Sequence, residues 1–312
     1  MLHLYLHTLQ VKYPKHDVRH FPSLFLFRPL ADNYILFSIL FFTMNKVILT
    51  LSLPLTILTI IVSYVGLFAP GFYSAETLNW QAQALGQDMI DLFIVTPSLF
   101  ITSVSAYKNN RTATLIWGGV MLYLTYTFVL YCFNVHFNQL FVIYCLCLGL
   151  SFYSFLYFLF TNHNQNRQVH YKKIRIVRFI SIYFIVIAIL FYVLWLSEIV
   201  PSIIKNTPPK SITETGLFTN GVHVLDLSVV LPAIFITGIL LLRGKPFGFV
   251  LAPVILSFFV LMDLTIGMLA LVMKTKGIES DLTLTAIMGT LALISLILLI
   301  RYFKNVKTVA EQ

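Results

Sequence analysis

Long apolar runs dominate this sequence, and they restrict the chain to a membrane fold. Each run has about 20 residues, the length that an α-helix needs to cross a hydrocarbon core about 30 Å thick. Lipid offers the backbone no hydrogen-bond partners, so runs of this kind must be helical. Charged residues make up only 11% of the chain, against about 25% in soluble proteins. Eight spans are predicted and are numbered here in chain order, at roughly 47–69, 89–107, 113–135, 139–161, 177–200, 223–242, 247–273 and 282–303.

Basic residues fall mainly in alternate loops, which predicts how the chain crosses the membrane. From residue 44 onward, thirteen Lys or Arg residues lie before span 1, after spans 2, 4 and 6, and after span 8, whereas four lie in the other loops. Because positive charge marks cytoplasmic loops, we expect both ends of the bundle in the cytoplasm. The net charge of +9 therefore predicts contact with a lipid bilayer and not with nucleic acid.

Residues 1–43 do not share this pattern and are predicted to lie outside the bundle. They mix histidines, basic residues and prolines without a helical period. A ninth helix over about 24–43 is the alternative, although Arg28 and Asp32 weaken it. Met44, followed closely by a long apolar run, looks like a natural start. The predicted organisation is an extension over 1–43, a first four-helix half over 44–175 and a second half over 176–312.

A stretch of span 2 is repeated in span 6. Residues 86–102 read GQDMIDLFIVTPSLFIT, and residues 221–237 read GVHVLDLSVVLPAIFIT, at a constant offset of 135 residues. Apolar residues match one another easily, but Gly, Asp and Pro at fixed spacing do not. The offset also aligns spans 1, 3 and 4 with spans 5, 7 and 8. The prediction is an all-α membrane protein built from two parallel four-helix repeats, since four crossings return the chain to the same side.

Each copy of the repeated stretch contains a proline inside its apolar run. Pro97 and Pro232 each remove one backbone hydrogen bond and free the carbonyl four residues earlier, at Phe93 and Ser228. A packing kink is the plain interpretation of these prolines. The functional alternative is that the freed carbonyls line a polar cavity.

Ionisable side chains in or next to spans 2, 3, 6 and 7 are the candidate functional residues. The repeated stretches each carry two of them one helical turn apart, and span 7 carries one near its predicted midplane. An ionisable group inside a span suggests a function, but an acid in the first helical turn, an interfacial histidine or a structural hydrogen bond are alternatives. The candidate ligand- or ion-binding residues are Asp88, Asp91, His136, His223, Asp226 and Asp263, with helix kinks at Pro97 and Pro232.

The outer half of span 3 is rich in tyrosine. Tyr123, Tyr126 and Tyr131 precede a polar turn that contains Asn134 and His136. This composition favours an aromatic belt at the membrane interface. A contribution of these hydroxyl groups to a polar site is the alternative.

The predicted function is a transporter or a protein that binds a small ligand or ion, with an outward-facing polar cavity between spans 2, 3, 6 and 7. A membrane-embedded, metal-dependent enzyme is one alternative, because Asp and His are ligands that divalent metals use. A sensor or a structural membrane subunit is the other. The sequence has no phosphate-binding loop, no HExxH and no nucleophile elbow, and no soluble domain large enough for a catalytic module. These motifs therefore leave the cofactor unknown.

Three stretches together resemble a family of bacterial multi-pass inner-membrane proteins. They are GQDMIDLFIVTP, YLTYTFVLYCFNVHFNQLFVIYCLCLGLSFYS and GVHVLDLSVVLPA. The resemblance covers about residues 47–303 and excludes the N-terminal 43. It implies a location in the bacterial inner membrane and implies no activity.

Overall fold

A computed structural model of the protein describes residues 28–162, 169–171, 174–278 and 282–308. The chain divides into two compact units, Met1–Met44 and Asn45–Gln312. All the candidate functional residues lie in the second unit. Residues 1–27 of the predicted extension over 1–43 lie outside the described residues, whereas residues 28–43 form the first part of the helix Arg28–Phe68.

Helices account for almost all of the described chain, and they form eight continuous helical spans that are long and apolar enough to cross a membrane. Spans 1 to 8 are Lys46–Phe68, Leu78–Tyr107, Arg111–Asn134, Phe141–Asn162, Arg175–Lys205, Gly221–Leu242, Pro246–Thr275 and Leu282–Asn305. This confirms the prediction of a multi-pass helical membrane protein. The helices are α1 Arg28–Phe68, α2 Leu78–Ile90, α3 Thr96–Tyr107, α4 Arg111–Asn134, α5 Phe141–Asn162, α6 Ile174–Lys205, α7 Lys210–Thr215, α8 Gly221–Leu225, α9 Leu231–Leu242, α10 Pro246–Thr275 and α11 Leu282–Asn305.

Span 2 begins earlier than its apolar run indicated. The helix starts at Leu78 instead of residue 89, because the Thr77 hydroxyl accepts the backbone N–H of Trp80 and caps the helix there. The added residues include several glutamines, so they form a polar extension of the span. This extension brings Gln83 and Gln87 into the same helix as the aspartates.

Spans 2 and 6 each contain one π-helical turn, at the same place in the repeated stretch. The turns cover Asp91–Val95 between α2 and α3, and Asp226–Val230 between α8 and α9. Each closes with a backbone N–H that donates to the aspartate carbonyl five residues earlier. The prolines therefore follow a π-turn and sit at the start of the next α-helix, which is a larger irregularity than the predicted kink.

Spans 3 and 7 form the centre of the bundle. Of their most apolar windows, 67% and 72% of residues are buried, against 28% to 44% in the other spans. Glycine permits close approach here: a Cβ at Gly119 would lie 2.6 Å from the Val254 carbonyl oxygen. A Cβ at Gly86 would lie 2.8 Å from the Cα of Leu269, and one at Gly221 would lie 2.6 Å from the Asn134 side chain.

A short two-stranded ribbon joins two segments that are distant in sequence. Strand β1, Val169–Tyr171, follows span 4, and strand β2, Val306–Thr308, follows span 8. The strands are antiparallel, and Val169 is paired with Thr308. The loop after span 4 and the chain after span 8 therefore lie at the same end of the bundle. No strand was predicted in either segment.

Candidate functional site

Asp88 is buried in span 2 and is held by two tyrosine hydroxyls. Tyr73 and Tyr131 donate to different oxygens of its carboxylate, each at 2.7 Å, and the side chain has no exposed surface. Gly66 of span 1 leaves room for this arrangement, since a Cβ there would collide with the carboxylate. Burial, together with the charge of Asp88, raises the pKa of Tyr73 well above its usual value, so this phenol remains a donor.

Asp91 lies one turn further into span 2 and has its own partners. The amide of Gln87 donates to both carboxylate oxygens at 3.1 Å, and the Tyr123 hydroxyl donates at 2.8 Å. The Tyr123 hydroxyl also lies 2.7 Å from that of Thr265 in span 7. Asp91 therefore links spans 2, 3 and 7 through a continuous polar network.

Asp226, the repeat counterpart of Asp91, is partly buried in span 6. Its two carboxylate oxygens accept hydrogen bonds from the Tyr126 hydroxyl at 3.1 Å and from Trp195 Nε1 at 2.9 Å. These donors come from spans 3 and 5, so the carboxylate is fixed from two sides. The Trp195 ring also packs against the ring of His223, with centroids 4.6 Å apart.

His223 is 5% exposed and lies close to an acid of span 5. Its Nε2 is 3.7 Å from Glu198 Oε2 and 3.5 Å from the side-chain amide of Asn220. The other oxygen of Glu198 accepts the backbone N–H of Ser211 at 2.9 Å. Glu198 thus connects His223 to the segment between spans 5 and 6.

Asp263 differs from the other aspartates because its carboxylate accepts no hydrogen bond in the described part of the chain. It is only 7% exposed, in the middle of α10. Its side chain faces a cavity instead of a donor. A carboxyl group in such a place needs a proton, water or a bound cation.

That cavity, which we call the chamber, has a volume of about 460 Å³ and lies between spans 2, 5, 6, 7 and 8, with span 3 at its edge. Asp226, Asp263 and His223 line it, and so does Gln87. Asp88 and Asp91 are not among its lining residues. The predicted cavity between spans 2, 3, 6 and 7 is thus displaced toward the second half of the chain, because spans 5 and 8 provide much of its wall.

A short segment between spans 5 and 6 covers one end of the chamber. It contains α7, whose Ser211 and Thr215 line the chamber. Thr77, at the start of span 2, donates its hydroxyl to the Thr215 carbonyl at 3.0 Å. The Nε1–H of Trp80 and the hydroxyl of Ser211 are buried here without a hydrogen-bond partner in the described residues. They remain available to water or to a bound molecule.

His136 lies apart from the other candidates. Its ring Nδ1 is 2.8 Å from Glu76 Oε2, its backbone N–H donates to the same carboxylate at 2.7 Å, and its side chain is 54% exposed. The residue does not line the chamber. Its contacts with Glu76 connect the turn after span 3 to the loop before span 2.

No three His, Cys, Asp or Glu side chains converge into a metal-binding group within the described ranges. Asp88, Asp91 and Asp226 instead use their oxygens to accept hydrogen bonds from aromatic side chains and from Gln87. The donor set expected of a metal-dependent enzyme is therefore not assembled in this part of the chain.

Most of the groups that hydrogen-bond to the aspartates were not predicted as their partners. For Tyr131, Tyr123 and Tyr126, the composition favoured an interfacial belt and left a polar site as the alternative. The three hydroxyls hydrogen-bond to Asp88, Asp91 and Asp226, respectively. Their positions on one helix next to an acid-bearing span were the available signal. Trp195 and Glu198, one turn apart on span 5, had no comparable signal because their partners are distant in sequence.

No protein-family model, curated protein or solved structure matches the chain.

Proposed function

We propose that this protein binds a small ligand or ion in the chamber, as a transporter or binding protein of the bacterial inner membrane. The observation that carries the proposal is Asp263, a buried acid that faces the chamber without a hydrogen-bond partner in the described chain. Asp226, on the opposing span 6, presents a second carboxylate that Tyr126 and Trp195 hold in place. Ionisable groups that line a cavity inside a membrane protein are usually functional.

The two halves of the bundle are related in this proposal by a twofold axis along the membrane normal. Contacts between the halves support it because they are reciprocal at the offset of 135 residues. Gly86 packs on Leu269, and Gly221 packs on Asn134. The offset relates Gly86 to Gly221 and Asn134 to Leu269, so the two contacts are equivalent in the two halves. Gly119 approaches Val254, its own counterpart, as expected for a position on the axis. The π-turns at Asp91 and Asp226 add a shared backbone irregularity.

The orientation follows from the loop charges. Both ends of the bundle are cytoplasmic in this proposal, and the β-ribbon supports their common side because it pairs the loop after span 4 with the chain after span 8. The end covered by α7 then faces the outside. The chamber would exchange its ligand with the outer solution past Trp80, Ser211 and Glu214.

Accessibility of a chamber residue tests the proposal. Ile266 lines the chamber, and Leu99 is fully buried elsewhere, so each would be changed to cysteine after the three native cysteines are replaced by alanine. An impermeant thiol reagent should modify Ile266→Cys from outside intact vesicles and leave Leu99→Cys unmodified.

The side of access separates the candidate functions. Modification from both sides, in right-side-out and inside-out vesicles, is expected of a transporter. Modification from outside alone would indicate a binding protein or sensor. If Ile266→Cys is unreactive from both sides, the chamber is a closed packing void and the proposed function is wrong.

A further inference from the structure

We infer that the chamber accepts a small organic ammonium ion, meaning a molecule with one positively charged nitrogen and an apolar body. This inference names the ligand class and rests on the proposed binding function. Charge, wall chemistry and size each point to the same class.

The charged side chains that line the chamber are all acidic among the described residues. Three acids line it, Glu214, Asp226 and Asp263, and no Lys or Arg does so among the described residues. Glu214 is near the covered end and pairs with Lys210 at 3.2 Å. The two deeper acids have no basic side chain opposite them within the chamber wall, and His223 is the one imidazole present. A ligand that enters must therefore complement negative charge.

The two deeper acids, Asp226 and Asp263, differ in the hydrogen bonds that they accept. The Asp226 carboxylate is fixed by Trp195 and Tyr126, so each of its oxygens already accepts one hydrogen bond. Asp263 accepts none within the described residues. An ammonium group donates several hydrogen bonds and would supply the missing donor at Asp263. We therefore assign the cationic nitrogen to Asp263.

The rest of the wall suits an apolar body. Aromatic rings of Tyr126, Phe191, Trp195 and Phe258 line the chamber together with aliphatic side chains. Aromatic faces attract organic cations and pack against carbon at the same time. A bare inorganic ion would leave these surfaces without contacts. The volume of about 460 Å³ falls in the range of sites for small organic molecules, roughly 300–1,000 Å³.

Ligands that share one skeleton and differ in charge test the inference. We would use 2-phenylethylammonium, 2-phenylethanol and phenylacetate, and a second set of hexylammonium, hexanol and hexanoate. Binding would be measured with purified full-length protein in detergent, by thermal stabilisation and calorimetry. In at least one set the ammonium should bind more tightly than its neutral and anionic analogues, about tenfold or more, as expected of a charge-assisted contact.

Variants locate the effect. Asp263→Asn should weaken ammonium binding about tenfold and leave binding of the alcohol within about twofold. Glu76→Gln is the matched control, because this acid pairs with His136 outside the chamber, and its binding should equal that of the wild type. Leu291→Trp, which fills the chamber from span 8, should remove binding of all the probes.

The outcomes separate the ligand class from the proposed function. If an alcohol or a carboxylate binds as well as the ammonium in both sets, the ligand class is wrong and the binding function stands. If no probe binds more tightly to the wild type than to Leu291→Trp, both are wrong. The comparison of charges in the wild type decides the ligand class even if Asp263→Asn does not fold.

Discussion

Aspartates in this membrane protein differ in what faces them. Asp88 and Asp91 are enclosed by donors from neighbouring segments, whereas Asp263 faces the chamber. The same residue type therefore accepts hydrogen bonds at two positions and accepts none, within the described residues, at a third. Replacing the acid by its amide should separate the two situations.

Asp91→Asn should destabilise the protein by about 1–3 kcal/mol, because its new NH₂ group would oppose the donors of Gln87 or Tyr123. Asp263→Asn should change stability by less than about 0.5 kcal/mol, since no hydrogen bond to it exists in the described residues. Reversible unfolding in detergent would measure both. Equal effects at the two positions would mean that Asp91 is held as a neutral acid that donates a proton to its partners.

At this scale the sequence predicted the acids but not their partners. Asp and His are conspicuous in apolar runs, so Asp226 and Asp263 could be found without a structure. Trp195 could not, because its indole N–H reaches Asp226 only through the packing of spans 5 and 6. Residues 31 positions apart have no periodicity that would link them.

Helices that carry these residues are held together by backbone contact at glycine. Gly86 allows span 2 to touch the backbone of span 7 at Leu269. A methyl group there meets main-chain atoms, which cannot rotate away as a side chain would. Gly149 of span 4 provides a contrast, because nothing lies within 4 Å of its added Cβ.

Gly86→Ala should therefore destabilise the protein by about 1–3 kcal/mol through overpacking. The matched substitution Gly149→Ala should be neutral or stabilise by up to about 1 kcal/mol, because alanine favours the helix. Thermal unfolding of both variants would be compared with the wild type. Similar behaviour of the two would show that spans 2 and 7 separate easily.

Element boundaries were predictable where apolar residues define them and not where capping does. The end of span 2 follows its apolar run, whereas its start depends on the cap at Thr77 and on glutamines that a hydropathy pattern excludes. Pro97 and Pro232 predicted a break in spans 2 and 6. They could not indicate a π-turn, because the missing N–H of a proline does not determine which hydrogen bonds the preceding turn forms.

For the whole molecule, the number of spans was predictable because membrane thickness sets their length. The position of the chamber was not, since it depends on how spans 5 and 8 pack against span 7. Orientation remains a prediction from loop charge. The β-ribbon places the loop after span 4 beside the chain after span 8, which is compatible with that prediction.

Reporter fusions after residues 110, 244 and 308 should give the cytoplasmic signal, and fusions after residues 137, 207 and 277 should give the external signal, because Lys and Arg concentrate in the first set of loops. A reporter enzyme active only outside the cytoplasm, paired with one active only inside, would measure this. A single inverted loop among them would exclude the proposed arrangement of two parallel halves.

The π-turns also bear on whether their extra residue arose before or after a duplication of the two halves. A π-turn contains one residue more than an α-turn. If that residue had been inserted in only one copy, the residues after the turn would be offset by one position between the copies. No such change occurs, because Asp91 aligns with Asp226 before the turn and Pro97 with Pro232 after it. If the halves descend from one ancestral gene segment, that ancestor already carried the extra residue.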